Sequence, residues 1–120
     1  MQQNSHPSPE DIALSLAAES WRFSQVMQNA IHELPESRQG RYNSRLEWYI
    51  KKLKDTLETL SCHIEDYSER IFEPGMPLTV LNLDEFQEED EIIIEVMIEP
   101  VIIRNDGTVV KTGTAMGRKG

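Results

Sequence analysis

Three histidines, one cysteine and a dense run of acids are the side chains of this 120-residue chain with the most chemical potential. Cys62 and His63 are adjacent, and a thiol beside an imidazole is the pairing a cysteine nucleophile requires. The surrounding periodicity predicts a helix, however, and successive helical residues point about 100° apart, so these two do not face each other. The reading is a buried or inert thiol; an enzyme using Cys62 and a histidine stays as a third alternative, tested by loss of activity on alkylation. His6 lies in a polar tail, and His32 sits near an expected helix end, where a positive charge is favourable. Asp84, Glu85, Glu88, Glu89, Asp90 and Glu91 crowd eight positions and offer oxygen ligands, but their order lacks the glycine turn of a calcium-binding loop. A single cysteine excludes an internal disulfide framework and a zinc site of clustered cysteines. The scattered glycines match neither the phosphate-binding nor the dinucleotide-binding spacing. No catalytic residue, metal site or cofactor is expected.

With catalysis set aside, charge and composition point to a protein that binds another protein. The formal net charge is −9, and no Lys or Arg stands between Phe72 and Ile103. Such a surface repels phosphate backbones, so nucleic acid is not an expected partner. It favours a partner with a basic face, or it is a solvated loop; both readings stand. Hydrophobic residues make up 38 % of the chain, low for one large core and suited to an elongated protomer that completes its core with a partner. No run approaches the roughly 20 apolar residues of a membrane span. The opening MQQNSHPSPED lacks the basic and apolar stretches of a secretory signal, so a cytoplasmic protein is expected.

Two helices should position whatever follows them. Residues 1–8 read as a flexible tail. Ser8-Pro9-Glu10-Asp11 reads as a helix start, with Ser8 as N-cap, Pro9 at the first helical position and Asp11 as a weak capping-box partner. Ile12, Leu16, Phe23, Met27, Ala30 and Leu34 follow at helical spacing, widened by Trp21 and Val26, and Pro35 stops the helix. From Leu46 the apolar positions Leu46, Ile50, Leu53, Leu57, Leu60, Ile64, Tyr67 and Ile71 alternate in steps of 4 and 3, the spacing of a coiled coil. Leu46, Ile50, Leu53, Leu57, Leu60 and Ile64 are the expected dimerisation residues, with the first helix packed alongside; an intrachain helical hairpin is the alternative. Tyr42, Trp48, Tyr49 and Trp21 serve packing or dimer contact, or act as exposed hot spots.

The helical region is thus expected over 9–71 and a small β-domain over 72–120, an α+β chain with a homodimer as its form. Glu73-Pro74-Gly75-Met76-Pro77 cannot continue a helix. Leu78–Leu83, Ile92–Ile98 and Val101–Ile103, continuing to Val109-Val110, are rich in branched residues suited to strands. Asn105-Asp106-Gly107 marks a hairpin, Pro100 an edge, bulge or bend, and Thr112–Met116 a last short strand.

In their order these parts resemble the GrpE nucleotide exchange factors of DnaK-type chaperones. Phe72-Glu73-Pro74 is similar to the family's Phe-Asp-Pro motif, and Leu78-Thr79-Val80-Leu81 to its short apolar stretch. The acids from Asp84 to Glu91 resemble its acidic loop, Ile92–Met97 its strand, Asn105-Asp106-Gly107 its hairpin tip and Val109–Ala115 its closing strand. The family's Gly-Tyr is replaced by Pro100-Val101 and its Arg-Pro-Ala by Lys111-Thr112-Gly113, and its separate short bundle helices are missing. The resemblance implies a β-domain that holds open the nucleotide cleft of a DnaK-type ATPase so that ADP leaves. Met76, Leu78, Met97, Glu99, Pro100 and Lys111 are the candidate contacts on that domain. The alternative is a dimeric adaptor or structural protein whose β-domain docks an unrelated partner without exchange activity.

Overall fold

The structure, a computed structural model, describes residues 6–120; of the expected tail over 1–8, residues 1–5 lie outside the described residues. The chain is α+β and divides into two compact units, Met1–Leu60 and Ser61–Gly120.

The first unit is a pair of helices, α1 (Pro9–His32) and α2 (Glu36–Thr59). The start of α1 is set by local chemistry: the Ser8 hydroxyl accepts from the Asp11 N–H at 3.0 Å and the Asp11 carboxylate accepts from the Ser8 N–H at 3.4 Å. The connection is short because Pro35 ends one helix and, lacking a donor, can open the next. The Gln39 side-chain amide donates to the Leu34 and His32 carbonyls, capping groups that α1 leaves unpaired. The helices pack on each other as a hairpin. Its buried residues are Leu14, Ala17, Ala18, Ser24 and Ile31 on α1 and Leu53 and Leu57 on α2. The Ser24 hydroxyl spends its donor on the Trp21 carbonyl at 2.6 Å, so its burial leaves no unpaired group.

Two expectations are corrected here. The apolar stripe expected for the first helix is not its inner face: Ile12, Leu16, Phe23 and Val26 are exposed, and Leu14, Ala17, Ala18, Ser24 and Ile31 lie inside. The second helix does not run to Ile71. It stops at Thr59, where the Thr56 and Thr59 hydroxyls bond back to the Lys52 and Thr56 carbonyls and Ser61 turns left-handed at φ 57°. Leu60 is therefore a cap and Ile64 a strand residue, so the helical seam keeps only Leu46, Ile50, Leu53 and Leu57 of its six named positions. The boundary between units falls at 60/61, not 71/72.

The second unit has six strands in two three-stranded sheets. They are β1 (Cys62–Glu65), β2 (Leu78–Val80), β3 (Ile92–Glu99), β4 (Val101–Arg104), β5 (Val109–Lys111) and β6 (Gly113–Lys119). One sheet is ordered β1-β4-β5 and antiparallel; the other is β2-β6-β3, with β2 parallel and β3 antiparallel to β6. Pro100 alone separates β3 from β4 and carries the chain from one sheet to the other. The backbone over Glu69–Phe72 extends the second sheet past β3. The Glu69 and Phe72 N–H groups donate to the Ile94 and Ile92 carbonyls, and the Ile94 N–H donates to the Arg70 carbonyl.

Packing explains why β6 reads Gly113-Thr114-Ala115-Met116-Gly117. Its inward positions are Gly113, Ala115 and Gly117, all buried. A Cβ on Gly113 would stand 2.6 Å from the Glu99 carbonyl oxygen, and one on Gly117 2.7 Å from Ile92 Cγ2. The smooth side of β6 thus lets the chain pass close at the Pro100 corner. Asn82 finishes the sheet where β2 runs out: its amide donates to the Gly117 carbonyl and accepts from the Gly117 N–H, both at 2.9 Å. The core is Cys62, Tyr67, Leu78, Val80, Ile92, Ile94, Met97, Val101, Ile102 and Ala115.

Candidate partner-binding surfaces

The β unit first removes several candidate contacts from the surface. Leu78, Met97 (3 % exposed) and Pro100 are buried. They build the unit's interior and corner and present nothing to a partner. Met76, Glu99 and Lys111 are half-buried, and Glu99 accepts from the Thr114 hydroxyl at 3.1 Å. Glu99, just before the Pro100 corner, puts its carbonyl against Gly113, so an alanine in place of Gly113 would collide with it.

The groups with chemical potential are spread apart. Cys62 and His63 lie on β1, where alternate residues face opposite ways: the thiol is buried and the imidazole is exposed. The separation expected from a helix therefore holds for a strand's reason. His63 bridges two neighbours, with Nδ1 3.3 Å from Asn105 Oδ1 and Nε2 3.1 Å from Glu65 Oε1. Among the described residues, no group of three or more His, Cys, Asp or Glu side chains is placed to hold a metal ion. No helix of the described residues is long and apolar enough to cross a membrane.

What each unit does offer is open apolar surface. On the hairpin, Leu16, Phe23 and Met27 of α1 and Tyr42, Leu46 and Tyr49 of α2 line two shallow cavities of about 250 and 300 Å³ that meet at Tyr49. Leu16 is 67 % and Phe23 58 % exposed. This is the stripe expected on the inside of helix one, joined here by Leu46, one of the expected dimerisation residues of α2. Trp48 is exposed and Trp21 half-buried.

On the β unit a groove of about 450 Å³ opens between the Ile71–Pro74 segment and the stretch from Leu83 to Ile92. Ile71 (46 % exposed) and Leu83 (47 %) stand in it with the half-buried Phe72 and Phe86, and Glu88, Asp90 and Glu91 rim it. The acidic run is shaped rather than loose. Leu83–Glu85 forms a 3-10 turn, and Asp90 accepts from the Gln87 N–H at 2.8 Å. Sequence reasoning missed this groove because Ile71 was counted in a helical seam. The usable signal was Phe86, an aromatic standing alone among acids.

Electrostatics near the groove are local. Arg118 grips Glu69 with two hydrogen bonds, at 2.7 and 3.2 Å, which hold the Glu69 carboxyl below its ordinary pKa and push the guanidinium above its own. Asp106 is also held below the usual range, because the Thr108 backbone N–H donates to it at the hairpin tip.

Comparison of the chain with protein-family models, with curated proteins and with solved structures finds no match in any of the three.

Proposed function

We propose that this protein is a GrpE-like co-chaperone: two copies join through their helical hairpins, and the β unit docks on the nucleotide-binding domain of a DnaK-type ATPase and favours its open cleft. The observation that carries this reading is the order of parts. A helical hairpin with one open apolar side precedes a β unit whose strands follow the sequence pattern that resembles the family. Two hairpins meeting on those open sides supply four helices, which offsets the missing short bundle helices. Leu16, Phe23, Tyr42, Leu46 and Tyr49 would then lie at the seam of the homodimer.

The mechanism needs no catalytic group in this chain. An exchange factor acts by binding the open ATPase more tightly than the closed one, and each 1.4 kcal/mol of that preference shifts the partner's equilibrium about tenfold. Coupling is reciprocal, so a protein that expels ADP must itself be expelled by ADP. Affinity for a DnaK-type ATPase, measured by calorimetry without nucleotide and with saturating ADP, should therefore fall when ADP is present. Met76→Asp and Lys111→Glu, at half-buried positions outside the core, should weaken the complex. Equal affinity in both nucleotide states would favour the dimeric adaptor that docks without exchange, and absence of any complex would refute the chaperone reading.

A further inference from the structure

We propose that the groove between Ile71–Pro74 and Leu83–Ile92 is a docking site for a short basic peptide segment carrying a large apolar anchor. Its volume, about 450 Å³, lies within the roughly 300–1,000 Å³ of ligand clefts. It is lined by Ile71, Phe72, Leu83 and Phe86, which leave apolar area open to water that an inserted side chain would cover.

Charge identifies the occupant. Every ionisable side chain lining the groove is an acid, and no Lys or Arg occurs between Phe72 and Ile103. One cation approaches: Lys119 Nζ stands 3.6 Å from Asp90. Arg118 is held by Glu69. No basic side chain among the described residues pairs with Glu88, Glu89 or Glu91. An acidic segment or a phosphate backbone would be repelled, and a neutral apolar segment would leave these carboxylates without compensation. Lys or Arg on either side of the anchor supplies it, as charge-assisted pairs at a rim do.

This site does not depend on the exchange reading, since Met76 and Lys111 lie outside its lining. The test uses the full chain and three short fluorescein-labelled peptides of equal length. One carries Leu and Phe flanked by Lys and Arg; one has Glu in place of the basic residues; one has Gly and Ser in place of Leu and Phe. Fluorescence anisotropy should show saturable binding of the first alone, weakening as salt rises. Leu83→Asn, and separately Glu88→Gln combined with Glu91→Gln, should each raise its Kd about tenfold or more. All three positions are exposed, so an unchanged urea midpoint confirms that the variants fold. Equal binding of the Glu peptide, or of the Gly/Ser peptide, would overturn the proposal, as would failure of the first peptide to bind or indifference to Leu83→Asn.

Discussion

The two units place their apolar residues differently. The β unit takes its large side chains inside: Ile94, Val101 and Ile102 are 0 % exposed, and even the strand beside them is pared to Gly113, Ala115 and Gly117 so that the layers close. The hairpin encloses fewer of them: it buries Leu14 and Ile31 of α1 and Leu53 and Leu57 of α2, and leaves Ile12, Leu16, Phe23 and Val26 outside. Two helices alone cannot enclose a core, because each has one neighbour and a wide apolar stripe needs more. The β unit thus closes a core within itself, and the hairpin leaves a wide apolar face open to water.

The difference can be broken or sharpened by substitution. The largest effect is expected at Ile102→Ala, which empties a fully buried site and should destabilise the β unit by about 3–4 kcal/mol in urea unfolding, whatever the protein concentration. Gly113→Ala should follow at roughly 1–3 kcal/mol, because the added Cβ meets the Glu99 carbonyl, and backbone yields less readily than a side chain. Phe23→Asp combined with Leu46→Asp addresses the hairpin. Sedimentation velocity should show self-association weakened at least about tenfold, with the β unit's near-ultraviolet spectrum unchanged.

The smallest effect concerns Glu69. Its folded carboxyl lies below the ordinary value of 4.5, so the stability it contributes is fully present above that value and is lost as pH falls through the lowered one. Glu69→Gln should lower the urea midpoint slightly at neutral pH, with the gap to wild type closing in acid and narrowing in high salt. The pair is solvent-exposed, which keeps this effect small.

Much of this fold was legible in residue types. Ser8, Pro9 and Asp11 announced the first helix because capping is local chemistry, and Pro35 announced its end. Asn105-Asp106-Gly107 announced the hairpin, where Gly107 takes φ 96° and donates to the Arg104 carbonyl. The branched runs gave four of the six strands, and Thr112–Met116 pointed to the last, though β6 runs on to Lys119.

What escaped were features decided by packing. Leu60, Ile64, Tyr67 and Ile71 continue a helical spacing, but Cys62 and Ile64 also alternate as a strand does, and pairing of β1 with β4 over Cys62–Arg104 to Glu65–Val101 settles the choice. The hydroxyls of Thr56 and Thr59 were the available stop signal. In β3 the register shifts between Ile94 and Val96, so Met97 turns inward and Val96 outward, contrary to simple alternation from Ile92. The outer stripe of α1 misled for a related reason: its large residues look like core, while the buried face is Leu14, Ala17, Ala18, Ser24 and Ile31. Of the candidate contacts, Met97 and Pro100 looked exposed by position alone, and only the sheet-to-sheet corner shows them enclosed.

The measurement that bears most directly on the proposed exchange activity is stopped-flow release of fluorescent ADP from a DnaK-type ATPase, with and without this protein. The account predicts faster release in its presence, reduced by Lys111→Glu. Unchanged release at concentrations where the two proteins form a complex would contradict it and leave an adaptor.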